Sequence, residues 1–150
     1  MYFYAQGLMV VLLVLISIKI IINDIRVRII ENSDILILSC LVLLSNFDSI
    51  GMKNIESLFL ILGAGFLLFC LKVCGAGDVK LAAVMSLGVG SKWFLLTVFM
   101  MFWFGGLLAT IYFIKRIINK KHSDSKVGIP YAVPIVLSFL LGMWLTSVSG

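Results

Sequence analysis

The chain has 150 residues, of which 62% are hydrophobic and 13% charged, with a mean hydropathy of +1.18. Soluble domains are roughly 45–50% apolar and about 25% charged, so these figures exclude an ordinary soluble domain and specify an all-α polytopic membrane protein, one embedded domain over residues 1–150. The net charge of +5 does not point to nucleic acid, because the basic residues stand in short loops between apolar spans, where anionic lipid headgroups meet them.

The first span is Tyr2 to Asn23, since about 20 apolar residues rising 1.5 Å each cross a hydrocarbon core of about 30 Å. No basic residue precedes it and no small-residue cleavage site follows, so it is not expected to be a removable signal peptide. Lys19, near its end, is placed to snorkel toward the headgroups. Asp24-Ile25-Arg26-Val27-Arg28-Ile29-Ile30-Glu31-Asn32 then forms a short interfacial turn with its apolar side chains dipping into the membrane boundary. The second span, Ile35 to Phe47, is short, and Ser33-Asp34 in front of it has the form of a helix N-cap. Ile55 to Val73 is the third span, with Glu56 suited to a helix N-terminus.

Gly75-Ala76-Gly77-Asp78-Val79-Lys80 interrupts the apolar pattern. Two glycines in three residues allow backbone angles foreign to a helix and close approach of another chain. An ionised side chain at membrane depth is costly, so Asp78 marks a functional site. The break presents it at the mouth of the next helix. Leu81 to Val89 is a brief fourth span and Trp93 to Ile114 the fifth, where Gly105-Gly106 permits close helix contact. Lys115 to Lys126 is a polar loop that includes His122 and Asp124. Gly128-Ile129-Pro130-Tyr131 introduces a sixth span to about Val148, in which Pro134 is expected to kink or delay the helix. Cys40, Cys70 and Cys74 fall in apolar segments and are read as packing residues, not metal ligands.

Six spans put the loops after spans one, three and five on one side. Those loops hold nine basic residues, among them Arg26, Arg28, Lys72 and Lys80, against Lys53 and Lys92 on the other side. The positive-inside rule makes the nine-residue side cytoplasmic and both termini external. Asp24 and Asp78 then share the cytoplasmic face, while Asp48 lies on the opposite one. Two aspartates brought together at a partly dry site share one proton, which is what acid–base attack of water on a peptide bond requires. The residues alone leave blander roles open: Asp24 as an interfacial partner of Arg26 or Arg28, Asp78 as an N-cap, and Asp34 as a rival member of the pair.

Gly75-Ala76-Gly77-Asp78-Val79-Lys80-Leu81 resembles the G-x-G-D-x-K-L block of type IV prepilin peptidases, membrane aspartic proteases that share a GxGD motif with presenilin-like enzymes. Asp24 with Arg26, Arg28 and Asn32 resembles that family's first aspartate and its basic loop, and Ile129-Pro130-Tyr131 its last-span opening. The resemblance implies a six-helix protease that removes the basic leader of prepilin-like substrates, Flp-type pilins or pseudopilins, at the cytoplasmic face of the cell membrane. It implies Asp24 and Asp78 as the catalytic pair, with Gly75, Gly77, Lys80 and Pro130 in substrate-binding or supporting roles. No metal or other cofactor is implied. The chain has no extra cysteine-bearing region, so methyl transfer is not expected. One departure is Ile30-Glu31-Asn32 where the family often has I-P-N, which removes a fixed turn. Competing readings are an archaeal preflagellin peptidase, a presenilin-like protease cutting within membrane helices, and a non-enzymatic transport or assembly subunit with an ion-relay aspartate pair.

Overall fold

A computed structural model describes residues 2–47, 50–72, 74–118 and 129–149. They form six helices: α1 (Tyr2–Val27), α2 (Asn32–Ser45), α3 (Met52–Cys70), α4 (Ala76–Ser86), α5 (Ser91–Ile118) and α6 (Ala132–Ser149). The all-helical, polytopic expectation holds. Four helices, α1, α3, α5 and α6, are long and apolar enough to cross a membrane. At 1.5 Å per residue, α2 and α4 reach only about 21 Å and 17 Å, short of a core of about 30 Å. Asp48, His122, Asp124, Gly128 and the lysines at 120, 121 and 126 lie outside the described residues.

The shortest helix is the hub. Six of the eleven residues of α4, from Val79 to Ser86, are buried, and it packs against α2, α3 and α6. Its second half is almost wholly apolar and buried, while Asp78 and the exposed Lys80 stand in its first half. Glycine and polar ties hold it. Gly65 of α3 has no side chain because a Cβ there would come within 2.5 Å of Val79. Asn54 Nδ2 at the start of α3 donates to the carbonyls of Leu87 (2.9 Å) and Val89 (3.1 Å), satisfying the open end of α4. The α5–α6 and α1–α2 hairpins flank this centre, and α5 leans chiefly on α6, meeting α3 only sparsely.

Several local expectations are corrected. The helix α1 does not end at Asn23 but runs through Asp24 to Val27, so the segment read as an interfacial turn is helical in its first half. The turn itself is made by Arg28, at φ 60°. Glu31, where the family often has proline, adopts φ −71° and ψ 137°, close to the angle that a proline ring would impose. Asp34 is not an N-cap: α2 starts at Asn32, which carries Asp34 to the inner side of the first turn, 1% exposed. There its Oδ1 accepts a hydrogen bond from Lys19 Nζ at 2.6 Å, so Lys19 is ion-paired instead of snorkelling freely. Pro134 neither kinks nor delays α6. It is that helix's third residue, where an amide would have no intrahelical acceptor. Cys40 and Cys70 lie on the exposed outer surface instead of packing inside.

Two stability outcomes follow. Lys19→Met strips the buried Asp34 carboxylate of its cation, and the detergent-solubilised protein should melt at a lower temperature than the wild type. Glu31→Pro fits the existing backbone and restricts the unfolded chain, so the same assay should show a gain of about 0.4–1 kcal/mol.

Candidate active site

Asp24 stands on the last turn of α1, 6% exposed. A buried carboxylate needs a donor, and it has one from the far end of the chain. The backbone N–H of Ala132, the first residue of α6, donates to Asp24 Oδ2 at 3.0 Å. The amides of a helix's first turn have no intrahelical acceptor and favour negative charge. Ile129-Pro130-Tyr131 thus brings a free amide to the first aspartate, with Pro130 buried beneath it. No pairing of Asp24 with Arg26 or Arg28 is found among the described residues.

Asp78 is the third residue of α4, and the glycine break does set it at the mouth of that helix. Its Oδ2 accepts the backbone N–H of Gly75 at 3.1 Å. This reach back to the residue before the helix is half of a capping box, so Asp78 caps from inside the helix, not from the N-cap position. Asp78 lies outside the four long apolar spans. Burial, opposed by the Gly75 hydrogen bond and aided by the negative charge of Asp24, pushes its carboxyl up to about 6. The charge of Asp24 thus reaches Asp78, while Asp34 is engaged elsewhere by Lys19.

The supporting residues divide differently from the expectation that the glycines leave room for a substrate backbone. A Cβ on Gly77 would approach the Cβ of Ile30 at 3.1 Å, so Gly77 admits the chain's own α1–α2 connection. A Cβ on Gly75 would lie 3.1 Å from Asp78 Oδ2, against the capping bond. Lys80 Nζ donates to Asn32 Oδ1 at 3.1 Å and so ties α4 to the start of α2. Gly77 and Lys80 seat the α1–α2 turn on α4, whereas Gly75 serves the Asp78 cap.

The space beside Asp78 is a groove of about 350 Å³ bounded by α3, α4, α5 and α6. Among the described residues Asp78 is the charged member of its lining, which also includes Cys74 and Tyr131 and is otherwise apolar. Sequence reasoning placed Asp78 but not this groove. It missed the Ala132 amide as well, although the Ile129-Pro130-Tyr131 signal was the pointer to it.

The model of the type IV leader peptidase family matches residues 9–111. The chain belongs to the type IV leader peptidase family. The match takes in both aspartates and the glycine break, and ends before α6, whose amide completes the setting of Asp24. Searches of curated proteins and of solved structures return no match.

A carboxyl raised by burial binds its proton more tightly in the folded chain than in the unfolded one. It costs no stability below its unfolded value of 3.8 and progressively more as pH rises to about 6. Asp78→Asn keeps an oxygen for the Gly75 amide and removes the titration. Its melting temperature should match that of the wild type near pH 4 and exceed it above pH 6, by roughly 3 kcal/mol in stability.

Proposed function

We propose that this family member is a membrane aspartic endopeptidase that removes the basic leader of prepilin-like substrates, Flp-type pilins or pseudopilins, at the cytoplasmic face of the cell membrane. The observation that carries the reading is the placement of the two aspartates: Asp24, fixed by the Ala132 amide, lies near enough for its charge to act on Asp78, the charged residue in the described lining of an apolar groove. Two carboxylates that resist simultaneous ionisation are suited to acid–base catalysis near neutral pH.

In this mechanism a water lies between the pair and the scissile carbonyl. Asp24 takes one proton of the water as its oxygen bonds to the carbonyl carbon, and Asp78 gives its proton to the carbonyl oxygen. The resulting gem-diol breaks its C–N bond. The departing nitrogen takes the proton held by Asp24, and a hydroxyl returns one to Asp78, restoring both groups. Lys80 has no part in the proton transfers, being engaged by Asn32. The basic residues of the α1–α2 and α3–α4 connections support the cytoplasmic placement, through the positive-inside rule.

The test is cleavage in membranes that co-express a prepilin-like substrate with the wild type, Asp24→Asn or Asp78→Asn, read by gel shift and N-terminal sequencing. Each variant is expected to lose at least 1,000-fold in rate, about 4 kcal/mol of transition-state stabilisation, with the wild-type product starting at the leader boundary. Full processing by either variant removes that aspartate from the mechanism. A new terminus inside the apolar segment moves the assignment to an intramembrane protease.

A further inference from the structure

Gly106 differs from the other glycines along the groove. A Cβ on Gly65 would run into Val79, and one on Gly105 would make ordinary contacts with Tyr131 at 3.9 Å and Pro134 at 4.0 Å. A Cβ on Gly106 would meet nothing within 4 Å, yet Gly106 lines the groove. It is not the close helix contact that a Gly-Gly pair in a membrane helix suggests. Glycine within a helix costs about 1 kcal/mol relative to alanine, and no neighbour in the bundle requires it here. Its missing side chain leaves open space at an exposed part of the groove lining, which also includes Ala109 of the same helix and Ala64 of α3.

We infer that the groove between α3 and α5 seats the apolar residues directly beyond the scissile bond, and that Gly106 sets the size of side chain admitted there. The inference rests on the aspartic-peptidase reading, and three observations specify the occupant. Asp78 is in the groove wall, so a peptide bond presented to it lays its neighbouring residues along that wall. The wall is otherwise uncharged, so the lysines or arginines of a leader would be desolvated there without partners, at high cost. They stay at the headgroups, and the apolar side of the cut enters. A volume of about 350 Å³ is near the lower end of ligand pockets, roughly 300–1,000 Å³, and suits one or two bulky side chains, not a whole helix. The sparse contact of α3 with α5 opens the groove sideways, the direction from which a membrane-embedded segment arrives.

The probe is a synthetic peptide with a lysine-rich leader followed by an apolar helix, made with either Ala or Leu immediately after the scissile bond. Cleavage is followed in proteoliposomes for the wild type, Gly106→Leu and Gly63→Leu. Gly63 is an exposed helical glycine of α3 with open space about it and no place in the groove, so it controls for the substitution itself. Gly106→Leu is expected to lose at least tenfold on the Leu peptide while keeping the Ala peptide within threefold, and Gly63→Leu to keep both. Equal rates on both peptides for Gly106→Leu, or equal losses, overturn the size role.

A second measurement separates docking from catalysis. The same peptide with photo-leucine after the scissile bond is crosslinked to the full-length Asp78→Asn protein and the adduct is mapped by mass spectrometry. An adduct on groove residues such as Leu60 or Phe102, lost in the Asp78→Asn, Gly106→Leu double variant, supports the seat. An adduct confined to other faces overturns it. Crosslinking in the groove without cleavage by the wild type keeps the seat and removes the peptidase reading.

Discussion

A single hydrogen bond spans 108 residues of sequence, from the amide of Ala132 to the carboxylate of Asp24, and much of the bundle's arrangement serves it. Neither group can be left alone. A buried carboxylate without a donor and a helix-start amide without an acceptor each cost free energy, and the cost grows where water is scarce. Joining them fixes the end of α1 against the start of α6. Because α6 also packs on α4, the same contact sets where Asp24 stands relative to Asp78. The Lys80–Asn32 bond and the close fit of Ile30 on Gly77 fasten the remaining side, so the aspartate-bearing segments are held from two directions.

The six helices were legible because apolar run length and charged interruptions report directly on membrane helices. The boundaries were less so. Asp24, Arg26 and Arg28 look like a loop by polarity, but α1 continues to Val27 because Asp24 meets an amide and need not leave the helix to find solvent. Asp34 shows the same limit. Serine and aspartate before an apolar run usually cap, yet the helix starts two residues earlier at Asn32, and Lys19, fifteen residues back, neutralises what becomes a buried side chain. Each error came from treating a polar residue by its local context when its partner lies on another helix. Glu31 is the opposite case: a proline was missing, but the backbone angle it would supply is present.

The glycines show which signals are ambiguous in a sequence. Gly65, Gly77, Gly105 and Gly106 are equivalent as letters. In the structure, one admits Val79, one admits Ile30, one makes ordinary contacts and one has open space beside it in the groove lining. Their roles depend on what stands opposite, and no periodicity carries that information. The motif around Asp78 was recognisable, whereas the cavity it opens into is assembled from four helices and has no contiguous signature.

Among the described residues three aspartates lie near the ends of the helices, and they solve one electrostatic problem in different ways. Asp34 is neutralised by a cation, Lys19, at 2.6 Å, which suits a structural tie because an ion pair holds two helices in register. Asp24 is held by one backbone amide, which orients the group without supplying a full counter-charge. Asp78 has the amide of Gly75 but no cation, and its carboxyl is pushed toward neutral pH by burial and by Asp24. A lysine beside Asp78 would relieve the cost and, in doing so, remove the poised proton. Lys80, two residues away, is the available candidate, and it is instead bonded to Asn32. Withholding that cation is the arrangement expected of a group that must exchange a proton, which is the role proposed for Asp78.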